Sequence, residues 1–265
     1  DRGSCMAGDV REDRHETLPC EIDSDEEREQ QLITEEKLRQ QRAAAVGPAR
    51  PDRGSLLDLV PNAQKILANL SSPKADSRFG AIRDLHNIYH RLEVRGQNGV
   101  GAVGPFCWFV ADNLTDSDVW IVAAAANLLA LFKEAAAPFV PVLLKCLVDN
   151  DPADPDSERP SVKRVGDCGE IIRAACLTLG AIGKPAHHAA PRVAAFLSHR
   201  IPALRATAVE GLAAFGDEVA QPYIRTMRGL MDDVEPRVRA AAVRGFGSMG
   251  PGYTALVAPR LEDEA

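Results

Sequence analysis

The stretch "DVEPRVRAAAVRGFGSMG" (233–250) has the layout of one complete helix with a signal at each end. Its proline stands where a first helical turn tolerates proline, and its last glycine stands where helices commonly stop. Ala242, Phe246 and Met249 are spaced so that they share one helical face. Small residues beside them allow a second helix to approach closely. The stretch therefore predicts an amphipathic helix that packs tightly against other helices.

The same pattern recurs four more times along the chain. In each copy, small residues hold the fourth and fifth places, and large apolar residues hold the ninth and twelfth. The copies are "SRFGAIRDLHNIY" (77–89), "WIVAAAANLLALF" (120–132), "IIRAACLTLGAIG" (171–183) and "LRATAVEGLAAFG" (204–216). A segment that opens with proline precedes every copy, at 61–70, 105–114, 138–147, 191–200 and 222–231. The sequence thus predicts five pairs, each with a proline-started helix followed by an alanine-rich helix.

These features resemble the HEAT-repeat family, including the short variant found in phycobilin lyases. The resemblance covers about residues 55–265 and implies an all-α, right-handed α-solenoid of about five HEAT-like helix pairs. The clearest match is 233–250, which carries the turn aspartate and the helix-opening Val-Arg of the family. We therefore expect 55–265 to form a helical repeat domain. An insertion is expected at about 149–169, where the opening prolines are furthest apart.

The resemblance also implies a ladder of Asp–Arg contacts between neighbouring repeats. The residues of this sequence that match the ladder are Arg78, Arg205, Asp233 and Arg239. The two middle repeats hold Ile121 and Ile172 in the arginine slot, and no aspartate precedes Arg205. We therefore expect the ladder to be interrupted in the middle of the array.

Residues 1–54 are predicted to be an acidic N-terminal tail, either flexible or held by a partner. They are rich in acidic residues within a chain of net charge −7, and they have few large apolar residues with which to bury a face. An acidic chain lacks the clustered basic excess that phosphate binding needs. Nucleic acid is therefore not expected as the main partner.

The longest apolar stretch, 119–132, is too short to cross a bilayer, so no membrane span is expected. Six scattered cysteines without a C-x-x-C pair favour reduced thiols, and hence a cytoplasmic or other reducing compartment.

Because the chain begins with Asp1 rather than Met, the natural N-terminus can lie further upstream. Residues 254–265 have the pattern of a first helix without its second. We expect the array to continue there or to be capped by a partner.

The stretch "GVGAVG" (99–104) has the G-x-G-x-x-G spacing of a dinucleotide-binding loop. Such a loop follows a buried strand, whereas this stretch follows the end of a repeat helix. Pro105 then starts the next helix. We therefore interpret the glycines as a hinge between two helix pairs.

His86 and His90 stand four residues apart on one helix and form a possible two-ligand face for a metal. Their own repeat supplies no third ligand, unless Cys107 or Asp112 approaches in space. The plainer interpretation is two histidines on a helix surface. No metal, cofactor or catalytic residue is predicted, and small-molecule binding is not expected.

The predicted function is that of a non-catalytic protein-binding scaffold, or a structural subunit of a larger assembly, with other protein subunits as partners. Stacked helices offer an extended surface for such binding. The resemblance leaves a HEAT-like enzyme open as the alternative, such as a phycobilin lyase or a metal-dependent hydroxylase. The seventh place of each alanine-rich helix is expected to point outward and to contact the partner. These residues are Arg83, Ala126, Leu177, Glu210 and Arg244.

Overall fold

The computed structural model describes residues 50–152 and 165–261, and it describes their side chains in 50–152 and 169–260. The chain divides into two units, Asp1–Val46 and Gly47–Ala265, and every described residue belongs to the second. The described residues form helices and turns without a strand, which confirms the all-α prediction. None of their helices is long and apolar enough to cross a membrane.

The α-helices are numbered along the chain. They are α1 (Ala63–Leu70), α2 (Ala75–Val94), α3 (Gly99–Val103), α4 (Cys107–Ala111), α5 (Val119–Leu131), α6 (Val140–Asp149), α7 (Val165–Ile182), α8 (Ala190–Ala195), α9 (Pro202–Phe215), α10 (Asp217–Ala220), α11 (Ile224–Gly229), α12 (Pro236–Met249) and α13 (Thr254–Leu261). Short 3-10 helices connect or extend them at Gly54–Leu56, Gly104–Phe106, Asp112–Thr115, Lys133–Phe139, Lys184–Ala189, Phe196–Ser198, Gln221–Tyr223, Leu230–Asp232 and Pro251–Tyr253.

The five alanine-rich helices of the sequence pattern are α2, α5, α7, α9 and α12, and we call them the second helices. They pack side by side in this order. The first helices are shorter and are broken into α and 3-10 segments, such as α3, Gly104–Phe106 and α4. A proline ring cannot donate a backbone hydrogen bond, which favours such breaks. This arrangement confirms the predicted α-solenoid of HEAT-like pairs, and α13 lies where a further first helix is predicted.

Glycine ends the second helices of the last three pairs. Gly183, Gly216 and Gly250 have φ angles of 78°, 89° and 123°. Side chains other than glycine rarely adopt this left-handed region, because a Cβ atom collides with the backbone there. The chain can therefore turn sharply after each second helix and start the next pair.

Small residues allow the second helices to approach each other closely. A Cβ atom added to Gly180 would lie 2.5 Å from Cβ of Ala214, and one added to Gly211 would lie 2.9 Å from Cβ of Cys176. Carbon atoms in favourable contact keep about 3.5–4.0 Å, so neither position has room for a side chain. Larger apolar side chains from both helices of each pair fill a core that runs along the array.

Residues 50–54, which the sequence pattern assigns to the tail, pack against the first two helix pairs. The guanidinium of Arg50 donates a 2.7 Å hydrogen bond to the carboxylate of Asp112 and lies 4.4 Å over the ring of Phe109. Arg53 donates to the hydroxyl of Ser71 at 2.9 Å. The folded repeat unit therefore includes these residues. Residues 1–49 and 153–164, with most of the predicted tail and insertion, lie outside the described residues.

Candidate protein-binding face

Two arginines on second helices connect neighbouring repeats. Arg78 on α2 donates from Nε to Oδ2 of Asp116 at 2.6 Å and from Nη2 to Oδ1 at 3.0 Å. Arg205 on α9 makes the same bidentate contact with Asp233, from Nε to Oδ2 at 2.8 Å and from Nη2 to Oδ1 at 2.7 Å. In both cases the remaining guanidinium nitrogen donates to a backbone carbonyl six residues earlier. These contacts form an Asp–Arg ladder of the kind that the sequence predicts.

Both ladder aspartates are held in their ionised form. Burial alone would raise the pKa of Asp116, but hydrogen bonds from Arg78 and from the backbone N–H of Asp118 outweigh it and lower that pKa. The hydrogen bond from Arg205 lowers the pKa of Asp233, against a smaller opposing effect of burial. Charge-assisted bidentate pairs of this kind are the stronger class of protein hydrogen bond. Each pair therefore fixes one repeat against the next.

The individual ladder predictions have different outcomes. Arg239 donates to the backbone carbonyl of Asp233 at 3.0 Å, whereas the carboxylate of Asp233 already binds Arg205 of the preceding repeat. Asp116 was not among the predicted ladder residues, yet it is the partner of Arg78. It lies three residues before the start of its second helix, as Asp233 does, and this spacing could have identified it.

A different set of polar contacts links the third repeat to the fourth, where Ile172 and His199 leave no Asp–Arg ladder pair. His199 occupies the turn position of the ladder aspartates, and its Nδ1 accepts a 3.0 Å hydrogen bond from the backbone N–H of Ile201. Its Nε2 lies 3.4 Å from Oδ1 of Asp151, and Nη2 of Arg192 lies 3.7 Å from the other oxygen of the same carboxylate. Asp151 is thus held by the repeat that follows it.

Ala126 does not point outward, so its predicted role in protein binding is wrong. Its side chain is 1% exposed, and its backbone carbonyl accepts a 2.7 Å hydrogen bond from the hydroxyl of Thr178 on α7. The outward place is the ninth residue of α2, α9 and α12, and the ninth residue of α5 is the exposed Asn127. The alanine run at 123–126 fits two registers equally well, which explains the displacement by one residue.

The other four predicted contact residues reach the surface to different degrees. Arg83 and Arg244 are exposed, whereas Leu177 and Glu210 are partly exposed. Arg244 donates a 2.7 Å hydrogen bond to Glu210 on the preceding second helix. These two charges therefore satisfy each other at the C-terminal end of the array.

Two exposed aromatic side chains lie on neighbouring second helices. Trp120, in the first turn of α5, is 60% exposed, and Phe79, in the second turn of α2, is 39% exposed. The apolar surface near the middle repeats thus comes from Trp120, because Ile121 and Ile172 are buried in the core. Sequence reasoning missed Trp120, since a tryptophan at the start of an apolar helix is typical of a core position.

We call the exposed side of the first three second helices the second-helix face. Phe79 lies four residues before Arg83, and Trp120 lies seven residues before Asn127, so each pair shares one side of its helix. Its residues are Phe79, Arg83, Trp120, Asn127 and Leu177. The face therefore combines apolar side chains with one cation.

The glycine stretch at 99–104 is itself helical, since α3 and the 3-10 turn Gly104–Phe106 form the start of the second helix pair. The positive φ angle before this pair belongs to Gly96, so the hinge prediction is wrong for the three glycines of the stretch. The backbone N–H of Gly99 donates to the carboxylate of Glu93 at 2.9 Å, and that of Gly101 donates to the side-chain oxygen of Asn98 at 2.7 Å. A phosphate-binding loop needs such N–H groups for its ligand. Here the chain's own side chains occupy them, and the preceding element is helix α2.

His86 and His90 lie side by side on α2, with their Nε2 atoms 3.3 Å apart. Burial, with a smaller effect of His90, lowers the pKa of His86. Neither Cys107 nor Asp112 joins them. In the two described ranges, no three His, Cys, Asp or Glu side chains lie close enough to share a metal ion.

Residues 164–247 match the family described as HEAT repeats, which confirms the predicted resemblance. No curated protein matches the chain. Among solved structures, the chain is similar to an engineered protein at 17% identity, with a TM-score of 0.47, over 77% of this chain and 87% of that one.

Two further structures are similar to the chain at 19% identity each. One describes microtubule plus-end tracking by XMAP215, CLIP-170 and EB1, and the match covers 79% of this chain and 89% of that one with a TM-score of 0.42. The other is the complex of CpcE and CpcF of phycocyanin lyase from Nostoc sp. PCC7120, which matches over 73% of this chain and 79% of that one with a TM-score of 0.43.

Proposed function

From the HEAT repeats of this chain, we propose that it is a non-catalytic scaffold that binds another protein on its second-helix face. The observation that carries the proposal is the 60% exposure of Trp120 on a regular helix. A buried aromatic side chain removes about 150–250 Å² of surface from water. In the free protein, much of the Trp120 ring stays in contact with water. A bound partner would bury that surface and so stabilise the complex.

The surroundings of Trp120 support this assignment. Phe79 adds a second exposed ring on the neighbouring helix α2, and Leu177 adds a half-buried aliphatic side chain on α7. Arg83 is exposed and forms no ion pair with any described residue. Protein interfaces combine an apolar centre with aromatic and arginine side chains and a polar rim. The second-helix face has this composition.

The experiment is quantitative capture of partners by the full chain and by two variants. Trp120→Ala should reduce the recovery of specific partners at least about tenfold, because truncation of a central aromatic anchor commonly costs 2 kcal/mol or more. Val234→Ala is the matched control. Val234 is 91% exposed, but it lies in the turn before α12, away from the proposed face. Its replacement should leave recovery unchanged.

The capture experiment should be followed by affinity measurements on the proteins that it identifies. Each partner that Trp120→Ala loses should be purified, and its Kd should be measured for the wild-type protein, Phe79→Ala and both variants above. Equal Kd values for wild type and Trp120→Ala would place the binding surface elsewhere on the chain. A bilin chromophore retained by the purified protein would instead favour the lyase alternative.

A further inference from the structure

We propose that His86 and His90 form a binding site for a divalent late transition-metal ion such as Zn²⁺. The proposal does not depend on the proposed scaffold function. It rests on the position of two imidazole rings on successive turns of α2, and on the distance between their facing nitrogens.

The spacing of the two facing nitrogens fits a shared ion. Their Nε2 atoms are 3.3 Å apart. Zinc binds imidazole nitrogen at about 2.0–2.1 Å with tetrahedral angles, which places two such nitrogens about 3.3–3.4 Å apart. The same Nε2–Nε2 distance fits an N–H···N hydrogen bond between neutral rings. A bound metal ion would replace the proton of that hydrogen bond.

A neighbouring aromatic side chain restrains one of the two rings. The ring of Tyr89 packs edge-on against His90 with the centroids 5.3 Å apart, which restricts the rotation of that imidazole. The His90 ligand is therefore partly preorganised.

The chemistry of the donor pair defines the class of ion. Two imidazoles favour copper, nickel and zinc over magnesium and calcium, which prefer oxygen ligands. Two protein ligands leave further coordination positions for water or for a group from a second molecule. Phe79 and Arg83 precede the histidines along the same exposed stripe of α2. The histidine pair therefore adjoins the second-helix face.

The test is a Zn²⁺ titration of the full chain by isothermal calorimetry, with imidazole ¹⁵N NMR to identify the ligands. Zinc should shift the Nε2 signals of both histidines. His86→Gln and His90→Gln should each weaken zinc binding at least about tenfold. His187→Gln is the matched control, because adjacent residues such as His187 and His188 do not face each other on a helical turn. Far-ultraviolet circular dichroism should show that all three variants keep the helical fold.

Three outcomes would overturn the proposal. The first is zinc affinity and stoichiometry unchanged in the double variant His86→Gln with His90→Gln. The second is a loss of zinc affinity in only one of the two single variants, which would indicate one histidine ligand rather than two. The third is zinc binding to the wild-type protein without a shift of either Nε2 signal.

Discussion

Arg205 donates two hydrogen bonds, of 2.8 and 2.7 Å, to Asp233 of the next repeat. The two side chains are only 13% and 8% exposed. A partly buried pair is costly to break from one side, because the remaining charge loses its oppositely charged partner. The contact therefore couples the fourth repeat to the fifth more strongly than a surface ion pair would.

Asp233→Asn should destabilise the protein by about 2 kcal/mol, because the amide loses the charge that Arg205 requires. The matched control is Glu210→Gln, which breaks an ion pair with the well-exposed Arg244 between the same two repeats. Exposed pairs contribute at most about 1 kcal/mol. Urea unfolding followed by circular dichroism gives both values. Equal losses in the two variants would show that burial of the ladder pair adds nothing.

The effect of Asp233→Asn should also depend on pH. The pKa of Asp233 is lowered in the folded protein, mainly by the hydrogen bond from Arg205. The ionised carboxylate therefore stabilises the fold above its unfolded-state pKa of about 3.9, and this contribution is lost as the pH falls through the lower folded-state pKa. The stability difference between wild type and variant should be constant from pH 7 to pH 5 and shrink below about pH 4. A difference that stays constant into that range would exclude the ladder charge as its source.

The sequence predicts the helix pairs well because their signals are local. Proline at the start of a first helix and glycine at the end of a second helix act through the backbone alone. The structure confirms Gly183, Gly216 and Gly250 as helix ends with positive φ. Contacts between repeats are harder to predict, since they depend on the stagger of one helix against another. Because of that stagger, the carboxylate of Asp233 binds Arg205, whereas Arg239 reaches only the backbone carbonyl of Asp233.

Glycine-to-alanine substitutions should separate close helix contacts from free helix surface. Gly211→Ala should destabilise the protein by about 1–3 kcal/mol, because the new methyl group would lie 2.9 Å from Cβ of Cys176. Gly247→Ala, in α12, is the control, since no atom lies within 4 Å of its added Cβ. It should stabilise by up to about 1 kcal/mol through helix propensity. Thermal unfolding measures both changes, and a gain for both would refute the close packing of α7 and α9.

Cys107 and Cys176 should be unreactive in the folded protein. Burial raises the pKa of Cys107 to about 11 and raises that of Cys176 as well, so little thiolate forms at neutral pH. Mass spectrometry of peptides after brief iodoacetamide treatment should find both thiols unlabelled in buffer and labelled in urea. Rapid labelling of either thiol in buffer would show that its helix opens readily.

Ala126 and Asn127 provide the sharpest test of the register of α5, which sequence reasoning placed one residue away from its position in the structure. Ala126 is buried against α7, where Thr178 bonds to its backbone carbonyl, whereas Asn127 is exposed. Ala126→Glu would place a carboxylate in the core without a partner, and such burial costs several kcal/mol or forces the helices apart. We expect this variant to lose its cooperative thermal transition. The free energy of unfolding of Asn127→Glu should lie within about 0.5 kcal/mol of the wild-type value, as is usual for surface substitutions. If Ala126→Glu instead melts like wild type while Asn127→Glu unfolds, the outward side of α5 is the one that the alanine pattern originally predicted.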